Sequence, residues 1–209
     1  MLKRGKLKLT PRYADGKDKL IEKELGKRWK KGDFVFVCDM CDLFAHNMPD
    51  TWIRRVLETI MNSPDATFLL LTKNPERFWF FRSIIPSNCI LATTIESNRH
   101  DMNISSAPAP HLRFYSILTE NYPRKAVVVE PIMDFDEGIF ISWFSQLRGK
   151  LEFVVVGYDN YNAHLPEPTL AKTEQFIEDL KTMGFTVYTK TIRKSWKELE
   201  QETAGQNKS

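Results

Sequence analysis

Three observations predict an α/β fold with a parallel sheet. Short runs of β-branched, aromatic and aliphatic residues alternate with longer stretches of helical periodicity. Several of the short runs are continuously apolar, as strands covered on both faces must be. Each run also turns from apolar to polar at its carboxyl end, so polar groups collect around one mouth of the array. With right-handed crossovers, this rhythm leaves a barrel-like array or a doubly wound sheet.

The elements follow in order from Asp33. The strands read FVFVCDM, TFLLLTK, CILATTI, KAVVVEP, EFVVVGYD and FTVYTKT. Between the first two, Trp52, Ile53, Val56, Leu57, Ile60 and Met61 recur at helical spacing, with Asp50 placed to cap the helix and NSPD to end it. Asn74 followed by Pro75 starts the next helix, with Asn74 as its cap. Pro168 starts a later one that buries Leu170, Phe176, Ile177 and Leu180 and stops at Gly184. A single α/β domain is therefore expected over residues 33–198, between a basic arm at 1–32 and a polar tail at 199–209 that frays.

At 209 residues and 42% hydrophobic content, the chain buries one sizeable core without covalent staples. Three cysteines, an odd number with no secretory signal ahead of them, point to a reducing compartment, the cytoplasm. No apolar run approaches the roughly 18–20 residues that span a bilayer. The net charge of +3 conceals an asymmetry, because residues 1–32 carry 12 Lys and Arg against 4 Asp and Glu. That arm, with Tyr13 and Trp29, suits the capture of nucleic-acid phosphates, and it equally suits a solvated charged segment.

The strand ends supply the candidate site. They carry Asp39 and Asp42; Thr72, Lys73 and Asn74; Thr94, Glu96, Asn98 and Arg99; Glu130 and Asp134; Asp159 and Asn160; and Lys190. Polar loops and helix caps account for some of these residues. Glu96 and Glu130 directly follow β-branched runs, where a carboxylate needs a ligand or a partner. Two long connections, ESNRHDMNISSAPAP and YDNYNAHLPEP, lie at the same end and suit a lid or binding loops; they equally suit surface insertions.

Cys38 and Cys41 form a CxxC pair at a strand end, not at the helix N-terminus a redox pair requires. Cys89 begins another strand, no second CxxC exists and the four histidines give no metal-ligand spacing, so no metal site is expected. Neither a Ser/His/Asp set nor a phosphate-binding P-loop is visible, which argues against hydrolysis and phosphoryl transfer.

Taken together, FVFVCDMCDLFAHNMPDTWIRRVLE, TFLLLTKNPERF, NCILATTIESNR, VVVEPIMDFD, VVVGYDNYNAHLPEP and VYTKTIR resemble a phage- and archaea-associated family of radical-SAM-like proteins of unknown function. The resemblance runs from about Leu9 to Lys194. It implies a partial TIM barrel of about six parallel strands, with S-adenosylmethionine (SAM) lying across the strand ends and a [4Fe–4S] cluster holding its methionine portion. By resemblance, Asp39, Asp42 and Lys73 lie near the amino-acid end of SAM. Thr94, Glu96 and Glu130 approach its ribose or the substrate, while Asn98, Arg99, Asp134, Asp159, Asn160 and Lys190 complete a substrate rim. Carboxylates suit an ammonium group and ribose hydroxyls alike.

One departure qualifies this expectation. Members of the family begin with a C-x3-C-x2-C segment whose thiolates hold the cluster, and Cys38, Cys41 and Cys89 do not reproduce that spacing. The chain reads as a truncated gene product or a cluster-free relative, and radical chemistry is not expected of it as written. The alternative is a cluster-free binding or accessory module that engages nucleic acid through the basic arm. If the first βα unit is missing, the first strand has a bare edge. Residues 1–30 are then expected to lie across it, or the chain to associate through it.

Overall fold

In the computed structural model, which describes residues 18–38, 41–161 and 163–206, all six predicted strands are present. They are β1 (Phe34–Val37), β2 (Thr67–Thr72), β3 (Cys89–Thr94), β4 (Lys125–Val129), β5 (Phe153–Gly157) and β6 (Val187–Lys190). All neighbours are parallel and the spatial order is β1-β2-β3-β4-β5-β6. A doubly wound sheet needs a point where the order reverses, and this sheet has none. Each crossover steps onward in the same direction, and the sheet curls into a partial TIM barrel.

The helices are α1 (Glu22–Leu25), α2 (Asp50–Met61), α3 (Phe78–Phe81), α4 (Pro110–Thr119), α5 (Glu137–Leu147), α6 (Leu170–Thr182) and α7 (Trp196–Gln206). Every residue of β3 and β4 is buried, which explains their unbroken apolar sequences. Alternate residues of these strands face the helices. Val127, Val129, Val154 and Val156 pack with Phe114, Phe140, Phe144 and Phe176, while Phe68, Leu70 and Leu91 pack with Ile53, Leu57 and Phe81. On the opposite face Leu69, Ile90, Ala92 and Ala126 form a thin apolar layer. Phe140 and Phe176 stack at 5.1 Å, and truncating either to alanine costs about 3–5 kcal/mol.

Several boundaries depart from expectation. Pro49, not Asp50, is the N-cap of α2, and Asp50 instead pairs with Arg77. Asn74 holds the cap position of the 3-10 turn Pro75–Arg77 without a capping bond; its Nδ2 donates to Phe44 O at 3.1 Å, tying two strand-end loops together. Residues 199–206, expected as a fraying tail, continue α7. The helix starts at a capping box written in the sequence as Ser195-x-x-Glu198, where Ser195 N donates to Glu198 Oε2 at 2.8 Å and Glu198 N to Ser195 Oγ at 3.4 Å. Glu198 also accepts from Leu170 N at 3.0 Å, joining the starts of α7 and α6.

Among the described residues, no backbone hydrogen bond joins the basic arm to β1. Glu22 forms a bidentate pair with Arg55 on α2, and Trp29 packs edge-on against Phe68 at 5.2 Å, on the helix side of the sheet. Residues 1–17 lie outside the described residues. No helix among the described residues is long and apolar enough to cross a membrane.

Candidate ligand site at the carboxyl ends of the strands

Register determines which side chains can meet at the mouth. Thr94 pairs with Val128, Val129 with Val156 and Gly157 with Lys190. Continued past the strand ends, that register sets Glu96, Glu130, Gly157 and Lys190 in one row across β3 to β6. Side chains two residues apart share a face, so the row stands above Thr94, Val128, Val155 and Tyr188.

Glu96 is 2% exposed, and both of its oxygens are engaged. Lys73 Nζ pairs with Oε1, and Arg113 Nη1 donates to Oε2 at 2.6 Å and to Thr94 O at 2.6 Å. Burial pushes the Glu96 carboxyl up, but the Lys73 and Arg113 charges outweigh it and hold the group below the ordinary carboxylate range. This carboxylate is locked in the core of the fold. Thr94, also buried, contributes its carbonyl to the same knot.

The other predicted acids are mostly consumed in the same way. Asp42 accepts from Phe44 N at 2.9 Å and from Lys73 N at 2.8 Å, which splices the loop after β1 to the end of β2. Asp159 is buried and accepts from Tyr161 N at 3.0 Å and Ala163 N at 2.6 Å, shaping its own loop. Asp134 pairs with Arg99 and, at 2.8 Å, with Lys172. Burial raises its pKa, yet these two cations bring it below the ordinary range. Asn98 and Arg99 also bind Asp136, so the long loop after β3 is pinned to the loop after β4. Asp39 lies outside the described residues.

Glu130 differs. Among the described residues only its Oε1 is engaged, by Asn160 Nδ2 at 3.2 Å and Lys190 Nζ at 2.8 Å, and the side chain is 20% exposed. Among the described acids of the predicted mouth, it alone keeps an oxygen without a partner. Lys190 is 59% exposed, and Glu130 is its charge partner among the described residues. The structure thus separates the predicted residues into a structural set, led by Glu96, Asp42, Asp134 and Asp159, and an open set of Glu130, Asn160 and Lys190.

Of the cations that neutralise the structural set, sequence reasoning named Lys73 and Arg99 and missed Arg113 and Lys172. Arg113 occupies a core position of α4, in phase with buried Pro110, Phe114 and Ile117, and a charge at such a position was the available signal. Lys172 on α6 and Arg193 after β6 carry no comparable mark. Arg193 binds Glu167 through both terminal nitrogens, at 2.8 and 2.9 Å, and lies over the rings of Trp196 at 4.2 Å and Tyr158 at 5.1 Å. It fastens the loop after β5 to the start of α7.

The described residues do not fit an iron–sulfur cluster. Cys38 and Cys41 follow β1 at the carboxyl end, whereas Cys89 opens β3 at the amino end. Burial raises the Cys89 thiol to about 12, opposite to what a thiolate ligand needs. No group of three His, Cys, Asp or Glu side chains among the described residues is arranged to hold a metal ion.

Among known proteins a family model matches the chain, and neither a curated protein nor a solved structure does. The match spans residues 6–157 and so includes β1 to β5 with Glu96, Glu130 and Gly157. Covering most of the sequence, it shows that the chain belongs to the DUF5131 family of proteins of unknown function.

Proposed function

We propose that this chain is a cytoplasmic, radical-SAM-like binding protein that takes SAM at the carboxyl-end mouth without using a cluster held by its described residues. The observation that carries the reading is the open carboxylate of Glu130 beside Lys190 and Asn160, in a mouth whose other described acids are already paired. Unpaired polar groups at the carboxyl ends of parallel strands are where ligands of such folds bind. The resemblance to radical-SAM-like proteins supplies the identity of the ligand. Orienting it falls to Glu130, Lys190, Asn160 and the remaining donors of Lys73.

Equilibrium dialysis of the purified chain against SAM, ATP and a single-stranded oligonucleotide, each at low and high salt, tests this reading. Saturable one-to-one binding of SAM, little affected by salt and weakened by Glu130→Gln, is expected. Failure to bind SAM overturns the reading. Oligonucleotide binding that declines steeply with salt, and disappears when Lys27, Arg28, Lys30 and Lys31 are neutralised, supports a nucleic-acid module instead.

A further inference from the structure

A second group of charged side chains gathers at the other end of the sheet. At the amino ends of β4 and β5, the loops that follow α4 and α5 border a cleft of about 460 Å³, a size that suits a small organic molecule. Leu118, Tyr122 and Leu151 give it apolar walls, and Glu120, Lys125 and Lys150 line it with charge. Lys125 opens β4 and is 4% exposed. Its Nζ donates to Ile117 O at 3.0 Å and to Glu120 O at 2.6 Å, carbonyls at the C-terminus of α4, and an ammonium has a third donor to give. Gly149, with a φ of 72°, turns the chain out of α5 and sets Lys150 on the wall of the cleft.

The charges at this cleft do not cancel. Glu152, also on its wall, is matched by Arg124 at 2.6 Å, and Glu120 has Arg82 at 3.6 Å, so among the described residues Lys125 and Lys150 remain in excess. Burial holds the Lys125 ammonium below its ordinary range, Glu120 opposes that shift and Lys150 adds to it, which means that the two lysines stand near enough to repel each other. An anion between them removes the repulsion. Glu120 gives a second, independent indication. It is 8% exposed, yet its Oε1 has no hydrogen-bond partner among the described residues, since 3.6 Å to Arg82 Nε is too long for one.

We propose that this cleft binds a small hydroxylated phosphate monoester, with the phosphate between Lys125 and Lys150 and a ligand hydroxyl donating to Glu120. The site is independent of the mouth at the carboxyl ends. A phosphate monoester carries about −1.5 to −2 charges at pH 7 and so answers both lysines, whereas a carboxylate answers one. Its oxygens accept the third Lys125 donor and those of Lys150, the hydroxyl satisfies the orphaned Glu120 oxygen, and the carbon frame lies against the apolar walls.

Isothermal titration calorimetry of the whole chain with ribose 5-phosphate, glycerol 3-phosphate, inorganic phosphate and ribonate tests the site. Lys125 also holds the end of α4, so the exposed Lys150 carries the test, as Lys150→Glu, with folding checked by circular dichroism. Lys181→Glu, on the exposed side of α6, matches the change of charge away from the cleft. At least one of the two phosphate monoesters is expected to bind the wild type one-to-one, about tenfold more weakly to Lys150→Glu and unchanged to Lys181→Glu. Inorganic phosphate, which lacks the carbon frame and its hydroxyls, is expected to bind more weakly than the ester. Failure of both esters to bind the wild type overturns the proposal, as does an equal loss in the two variants, which reports general attraction to positive charge. Ribonate bound as tightly as the phosphate monoesters overturns the choice of phosphate over carboxylate, and inorganic phosphate bound as tightly as the ester overturns the contact with Glu120.

Discussion

Arg113 and Glu96 form a charge pair inside the core, with Nη1 to Oε2 at 2.6 Å and both side chains nearly inaccessible to water. The pair joins the first turns of α4 to the segment just after β3, and Lys73 closes it from β2. Removing one member leaves a buried charge without its partner, which costs far more than the pair is worth relative to apolar residues. Arg113→Met is therefore expected to destabilise the chain by about 3–5 kcal/mol in urea unfolding, and the double variant Arg113→Met/Glu96→Leu by clearly less. Equal losses in the two would show that no charge is stranded.

Acid sensitivity follows from the same groups. Glu96 and Asp134 both titrate below the ordinary range when folded, because their cations outweigh burial. The unfolded chain therefore takes up protons first as pH falls, and the stability these groups provide is lost from the ordinary carboxylate range down through their folded values. Unfolding midpoints should be flat from about pH 8 to 6 and decline below about pH 5. Glu96→Gln should flatten the acid limb, and a slope unchanged by it would assign the sensitivity to other carboxylates.

Gly157→Ala has an unusual expected sign. In a strand interior, replacing glycine ordinarily helps or is neutral, because glycine has more freedom to lose on folding. Here the added methyl meets the Lys190 carbonyl at 2.3 Å, so β6 must shift. A loss of about 1–3 kcal/mol is expected, together with weakened ligand binding, since Lys190 moves with its strand. Thermal melting beside Gly138→Ala, where nothing lies within 4 Å of the new atom, separates the close approach from glycine replacement in general.

Thiol reactivity should divide the cysteines by position. Cys89 is buried with its thiol raised to about 12, whereas Cys41 is exposed. In a neutral, non-denaturing buffer, Cys41 should be alkylated long before Cys89, which reacts only as the chain opens. Mass-spectrometric mapping over time reads the order directly, and early labelling of Cys89 would mean that the amino end of β3 is open.

Much of the architecture was legible in the sequence because it depends on local pattern. TFLLLT, CILATT and KAVVV are continuously apolar because both faces of β2, β3 and β4 are covered, and the alternating helical spacings gave the crossovers between them. Sequence analysis missed the capping box of Ser195 and Glu198, because the weakly apolar sequence after it has the composition of a tail. Asp50 and Asn74 have the residue types of caps, and only their tertiary partners, Arg77 and Phe44, show where those side chains go.

The sequence by itself therefore determined a parallel α/β array and the end of it where polar groups gather, since hydrophobic periodicity and the polarity of strand ends are properties of neighbouring residues. The pattern alone left a barrel or a doubly wound sheet open, the resemblance implied the partial barrel, and only the tertiary structure showed it, in the consecutive strand order. It also decided which acids are already neutralised. Glu96 meets partners 17 and 23 positions away, and Glu130 reaches Lys190 across the strand that separates theirs. Charge pairing acts through space over a few ångströms, and chain separation carries no record of it until the strands are in register.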